Sequence, residues 1–158
     1  MSLWETRRFP WTDAIREAPD TFERTMFLWC VETLVPLRQF QPGEVHVVFF
    51  ENLVRQPEAE VARLFAHLGK STDHFDLEKL KVPSLTARRA SSAVWTGADP
   101  VDAWKDKVSP DQRRRALEIL TWFGLDRIYS EESMPRMEGV LEIMKSGPSL
   151  ALSGNAPR

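Results

Sequence analysis

Apolar residues follow two different spacings in the stretch from Val45 to Gly69. From Val45 to Phe50 the chain is apolar except for His46, and this β-branched and aromatic run predicts a buried strand. Pro57 then begins a segment whose apolar residues recur at helical spacing, and Gly69 stands where a C-terminal cap is expected. The pattern predicts one strand-to-helix unit of an α/β sheet.

Helical spacing also predicts two longer helices. The first runs from Asp20 to Phe40, with Asp20 or Thr21 as its N-cap, and Pro36 is expected to kink it or end its regular part. The second begins at Ser109-Pro110, where a serine cap precedes a proline at the first helical position, and ends at Gly124. Both assignments rest on capping residues as well as on periodicity.

The remaining segments are shorter or less regular. Short helices are predicted after Thr12 and between Ser71 and Lys81. Residues 82–100 lose all periodicity and are rich in serine and threonine, which predicts a long loop. Residues 131–158 are predicted to be a tail, with a short amphipathic helix from Met137 to Met144 and then a disordered end.

Charge and cysteine content exclude several classes of protein. The net charge of −2 argues against non-specific binding to nucleic acid or acidic membranes. Cys30 is the single cysteine, so no internal disulfide forms, and no cysteine–histidine cluster predicts a metal site. Neither a membrane-spanning run nor a signal-peptide pattern is visible, so we expect a cytoplasmic protein.

No complete catalytic motif is present, and no catalytic residue is predicted. The three histidines are scattered, and Cys30 lies in an apolar helix, where a core thiol is the better interpretation. Arg88 and Arg89 stand together in the loop rich in serine and threonine. Their guanidinium groups suit a phosphate, but the pattern alone favours a solvated loop with incidental charge.

Two stretches of the chain resemble one known family. The run Phe50-Glu51-Asn52-Leu53, followed by the helix that starts at proline and ends in His67-Leu68-Gly69, is similar to the C-terminal half of sulfotransferases. The stretch from Trp104 to Ser130, which opens with Trp104-Lys105, resembles the closing helix of the same family. The resemblance implies an α/β fold related to P-loop proteins, mostly helical with one or few strands, of which the run from Val45 to Phe50 is one. It also implies a partial sulfotransferase domain over residues 1–130, followed by the tail.

The resemblance also implies a donor site for 3′-phosphoadenosine 5′-phosphosulfate (PAPS). Ser2, in Met1-Ser2-Leu3-Trp4, corresponds to the serine that holds the 3′-phosphate, and Phe50 replaces a tyrosine near the adenine. Arg88 or Arg89 corresponds to the loop arginine on the 3′-phosphate. Hydroxyl contacts to the donor are further expected from three serines of the same loop, Ser84, Ser91 and Ser92.

Some parts of the family's catalytic site are missing from the sequence. No phosphosulfate-binding loop and no general base are recognisable, and the chain opens like a helix already under way, without an N-cap. We therefore expect an upstream segment to be absent, and the chain to be inactive on its own.

The sequence favours a sulfotransferase, or the C-terminal part of one. It would transfer a sulfuryl group from PAPS to a hydroxyl or amine of a small molecule or carbohydrate, without a metal. The alternative is a non-catalytic interaction module, in which a second copy or another partner covers an exposed sheet edge. A kinase-like phosphotransferase is a third possibility, which the two family-like stretches disfavour.

Overall fold

The structure is a computed structural model that describes residues 11–73, 75–81 and 97–147. These residues contain six α-helices and two 3₁₀ turns, at Leu77–Lys81 and Leu125–Arg127. The helices are α1 (Trp11–Glu17), α2 (Thr21–Gln39), α3 (Phe50–Arg55), α4 (Pro57–His67), α5 (Pro110–Phe123) and α6 (Met137–Lys145).

The predicted α/β fold is wrong, because the described residues contain no strand and no sheet. Val45 makes only an isolated bridge, the next four residues have no regular secondary structure, and Phe50 begins α3. A single extended segment without a neighbour leaves its backbone N–H and C=O groups without sheet partners, so its apolar pattern alone does not make a strand. Within the run only Phe49 is buried, with an exposed fraction of 5%, whereas Phe50 is 60% exposed.

The chain forms two compact units, of which the first comprises Met1–Pro42, Pro110–Glu131 and Arg136–Arg158. Among its described residues, α2 packs against α1, α5 and α6, and the 3₁₀ turn Leu125–Arg127 packs against α5 and α6. Its core consists of side chains that are almost fully buried: Phe27, Cys30, Leu34, Ile119, Leu120, Phe123, Leu125, Ile128, Val140, Ile143 and Met144.

Local sequence signals set the ends of α2 and α5 as predicted. The Asp20 carboxylate caps α2 by accepting a hydrogen bond of 2.9 Å from the backbone N–H of Glu23. Pro110 is the first residue of α5, and Gly124, with a φ of 69°, follows its last residue in the left-handed conformation. Pro36 does not end α2, which continues to Gln39.

Helix α6 packs tightly against the 3₁₀ turn that precedes it. Gly139 is buried in the first half of this helix, and a Cβ atom at that position would overlap the carbonyl group of Arg127. A glycine is therefore required by the close approach of two backbones. The predicted short helix from Met137 to Met144 is present and extends by one residue.

The second unit comprises Gly43–Ser109 and Glu132–Pro135. In its described part, α3 packs against α4, and α4 packs against the 3₁₀ turn Leu77–Lys81. Pro57 is the first residue of α4 and Gly69, with a φ of 63°, follows its C-cap, as the sequence predicts. The Phe65 and Phe75 rings meet edge to face with their centroids 5.2 Å apart, which joins the end of α4 to the segment that follows it.

Candidate functional site

Phe50 is the one predicted donor-site residue that the structure describes. It is the first residue of α3, and its side chain is 60% exposed although it is large and apolar. The three others, Ser2, Arg88 and Arg89, lie outside the described residues, as do the loop serines at 84, 91 and 92. The structure therefore gives a surface position for Phe50 alone, and the predicted donor site stays a prediction.

A charged cluster in the second unit connects the end of α3 to the segment that precedes Trp104. Arg55, the last residue of α3, contacts Asp99 Oδ2 at 2.6 Å and Asp102 Oδ2 at 3.2 Å through its Nη2 atom. Arg55 belongs to the first family-like stretch, and the two aspartates directly precede Trp104-Lys105 of the second. The cluster therefore connects the first stretch to the segment that directly precedes the second.

Asp102 is the centre of this cluster. Its Oδ1 atom lies 2.6 Å from Lys105 Nζ and accepts a hydrogen bond of 2.5 Å from Ser133 Oγ. Hydrogen bonds from Lys105 and Ser133 lower the pKa of Asp102 below its ordinary value. The carboxylate therefore stays charged at neutral pH and holds three segments together.

Asp99 supports the same cluster in a second way. Its Oδ1 atom accepts a hydrogen bond of 3.0 Å from the backbone N–H of Val101, while its other oxygen faces Arg55. The hydrogen bond from Arg55 lowers the pKa of Asp99, and the backbone bond adds to that effect. Arg55, Asp99 and Ser133 follow no spacing that sequence analysis recognises, because their contact depends on the tertiary fold.

Two histidines stack on each other in the second unit. The His46 and His67 rings have centroids 5.2 Å apart at an interplanar angle of 29°. Burial lowers the pKa of His46, and the charges of Arg63 and His67 lower it further. His46 is therefore neutral at pH 7, and its Nε2 atom is buried without a hydrogen-bond partner in the described part of the chain.

One acidic side chain beside this pair is almost fully buried. Glu60, with an exposed side-chain fraction of 3%, contacts Arg63 Nη1 at 2.7 Å one turn along α4. Its Oε1 atom has no hydrogen-bond partner among the described residues. Within residues 11–73, 75–81 and 97–147, however, no three His, Cys, Asp or Glu side chains lie together as a metal site.

Cys30 lies in the core of the first unit and is unsuited to chemistry. Its exposed fraction is 0%, and burial raises the pKa of its thiol to about 12. Since the thiolate is the nucleophile, this side chain is unreactive at neutral pH. The interpretation of Cys30 as a core residue is confirmed.

Neither a membrane-spanning helix in the described residues nor a match to a known protein was found. Every helix in the described ranges is too short or too polar to span a lipid bilayer. No family model, no curated protein and no solved structure matches the chain.

Proposed function

We propose that this chain belongs to a sulfotransferase and takes part in binding its donor, PAPS. The proposal is supported by the two family-like stretches and by the ion pairs that connect Arg55 of the first stretch to Asp99 and Asp102, which precede the second. The described residues form no sheet, so the proposal rests on the two stretches and on side-chain positions. The observation that carries it is the exposed Phe50 ring at the start of α3. The resemblance matches this residue to an aromatic residue near adenine.

The reaction that this assignment implies is an in-line displacement at sulfur. An acceptor oxygen or nitrogen forms a bond to the sulfur atom while the bond from sulfur to the phosphate oxygen of the donor breaks. The products are a sulfated small molecule or carbohydrate and 3′-phosphoadenosine 5′-phosphate (PAP), and the acceptor's proton passes to a general base. We assign no residue of this chain as that base.

Phe50 would contribute to donor binding by stacking on adenine. An aromatic ring stacked on a base contributes about 1–3 kcal/mol, so its loss is expected to weaken binding by about tenfold. Arg88 and Arg89 would contribute charge to the 3′-phosphate, where a guanidinium group offers paired N–H donors. The two contributions are separable because one is apolar and the other depends on charge.

Isothermal titration calorimetry with PAP tests the proposal. We expect saturable binding to the unmodified chain, about tenfold weaker binding to Phe50→Ala, and a smaller change in Phe50→Tyr. Leu68→Ala is the matched control, because Leu68 is also an exposed apolar residue of the second unit, with an exposed fraction of 57%. Absence of binding, or equal weakening by both alanine variants, would overturn the proposal.

The charge contribution is tested separately with the double variant Arg88→Ala/Arg89→Ala. Binding of PAP should weaken strongly and should lose most of its dependence on salt concentration, because phosphate contacts are screened by salt. Adenosine, which lacks both phosphates, should bind the double variant and the unmodified chain equally. Unchanged PAP affinity in the double variant would remove these arginines from the donor site.

A second candidate function is a non-catalytic interaction module. The exposed side chains of Phe50 and Leu68 favour it, because large apolar residues at a surface often mark contacts with other proteins. The sheet edge expected as the docking surface does not occur in the described residues, so the contact would involve helical side chains. Light scattering after size-exclusion chromatography distinguishes the two functions, since a monomer at all concentrations argues against self-association.

A further inference from the structure

A small cleft in the first unit lies apart from every residue assigned above. It has a volume of about 140 Å³, close to the roughly 150 Å³ of an engineered cavity that holds benzene. The residues that line it come from α1, α2, α5 and the connection between α1 and α2: Ala14, Glu17, Ala18, Pro19, Glu23, Phe27, Arg115 and Trp122. The cleft is therefore large enough for a hydrocarbon group of four to six carbons, by comparison with that cavity.

One wall of the cleft is held in place without a ligand. The Arg115 guanidinium lies 4.7 Å from the centre of the Trp122 ring, and the Phe27 ring stacks on Trp122 with centroids 5.9 Å apart. Glu23 fixes Arg115 from the other side through two hydrogen bonds of 2.9 Å. A wall that is ordered beforehand lowers the entropic cost of binding a small ligand.

Each nitrogen of Arg115 already donates a hydrogen bond to a carboxylate, so the cleft is poorly suited to an anion. Its Nε and Nη2 atoms donate to Glu23, and its Nη1 atom donates to Glu118 at 2.9 Å. The positive charge of this guanidinium neutralises the Glu23 carboxylate. An anionic ligand would be repelled by Glu23 and Glu118, whose carboxylates already neutralise the charge of Arg115.

Glu17 gives the cleft its net charge. Glu17 is exposed, and its carboxylate forms no hydrogen bond or ion pair with any described residue. Neighbouring Arg16 is paired with Asp13 at 3.2 Å. The cleft therefore combines apolar walls with one carboxylate that no described residue neutralises, an arrangement complementary to a cation on a short hydrocarbon.

We propose that this cleft binds a small organic ammonium ion, whose charged nitrogen pairs with Glu17 and whose hydrocarbon fills the space beside Ala14, Ala18 and Phe27. The site does not depend on the proposed role in sulfuryl transfer. It requires neither Phe50 nor the second unit, so the two proposals stand or fall by separate measurements.

Nuclear magnetic resonance tests the site with isobutylammonium chloride as the probe. The indole N–H signal of Trp122, identified by its loss in Trp122→Phe, should shift with added probe until it saturates. Isobutanol and isobutyrate have nearly the same shape, without the positive charge, and should shift it much less. Equal shifts by all three compounds, or no saturable shift with the ammonium ion, would overturn the proposal.

Variants of the cleft separate its charge from its shape. Glu17→Gln should weaken binding of the ammonium probe by about fivefold, as expected for loss of one exposed ion pair. Glu32→Gln is the matched control, because Glu32 is also exposed and lies outside the lining of the cleft. Ala14→Leu should abolish binding by filling the cleft. Unchanged affinity in Glu17→Gln, or in Ala14→Leu with its other amide signals retained, would each contradict the assignment.

Discussion

The Arg115 guanidinium faces the Glu23 carboxylate across two hydrogen bonds of 2.9 Å each, Nε to Oε1 and Nη2 to Oε2. This bidentate pair joins α5 to the first turn of α2, across 92 residues of sequence. Only 11% of the Glu23 side chain is exposed. A carboxylate that is this well shielded loses much of its hydration, and its partner must compensate for that loss.

Replacing Glu23 with glutamine should destabilise the protein by about 2 kcal/mol, because a charge-assisted pair is lost and Arg115 keeps its charge in a partly buried position. Urea unfolding followed by circular dichroism measures this change. Glu118→Gln is the control: Glu118 contacts the same arginine but is 45% exposed, so about 0.5 kcal/mol or less is expected. Equal losses in the two variants would show that shielding does not decide the strength of these pairs.

Because Glu23 and Arg115 contact each other, the effects of their substitutions on the free energy of unfolding should not be additive. Arg115→Met together with Glu23→Gln should cost less than the sum of the single changes, because the double variant leaves no unpaired charge in the shielded position of Glu23. A coupling free energy of about 1–2 kcal/mol is expected from a double-mutant cycle. Strict additivity would mean that the two residues contribute independently.

Gly139→Ala should destabilise the protein by about 2 kcal/mol, although alanine is the better helix former. A Cβ atom at Gly139 would overlap the Arg127 carbonyl group, so α6 would have to move away from the 3₁₀ turn Leu125–Arg127. Glu138→Ala, at the exposed neighbouring position, should change stability by about 0.5 kcal/mol or less. Thermal unfolding checks both variants, and a Gly139→Ala protein as stable as the control would show that the helix shifts without cost.

The features that the sequence could predict are those that depend on residues within one helical turn. The ends of α2, α4 and α5 depend on caps and prolines that act within one turn, so Asp20, Pro57 and Pro110 indicate them directly. The prediction of a strand from Val45 to Phe50 was wrong, because a strand needs a neighbouring strand and no local pattern supplies one. The contact between Glu23 and Arg115 and the cluster around Asp102 depend on residues far apart in sequence, and no spacing reveals them.

Cys30 should not react with a thiol reagent such as 5,5′-dithiobis(2-nitrobenzoic acid) in the folded protein at pH 8. Its thiol is fully buried, and its raised pKa of about 12 leaves almost no thiolate. Since Cys30 is the single cysteine, denaturant should release one reactive thiol per chain. N-acetylcysteine serves as the control for reagent and pH. Rapid reaction of the folded protein would mean that α2 opens locally at a much higher rate than its burial suggests.

The stability of the protein should fall as the pH decreases below about 6.5, the ordinary pKa of histidine, because of His46. The folded protein lowers the pKa of His46 by burial and by the charges of Arg63 and His67, against the opposing charge of Glu60. The unfolded chain therefore binds a proton more readily in this range, and protonation favours unfolding. The contribution is fully present above pH 6.5 and is lost as the pH falls toward the lower pKa of the folded state.

His46→Gln isolates this effect, because glutamine does not titrate. Urea unfolding of both proteins at several pH values between 7.5 and 5 should show a free-energy difference that changes with pH, the unmodified chain losing more stability on acidification. His67→Gln should reduce that loss, since it removes one of the neighbouring charges that act on His46. Parallel pH profiles for His46→Gln and the unmodified protein would show instead that His46 has the same pKa in the folded and unfolded states.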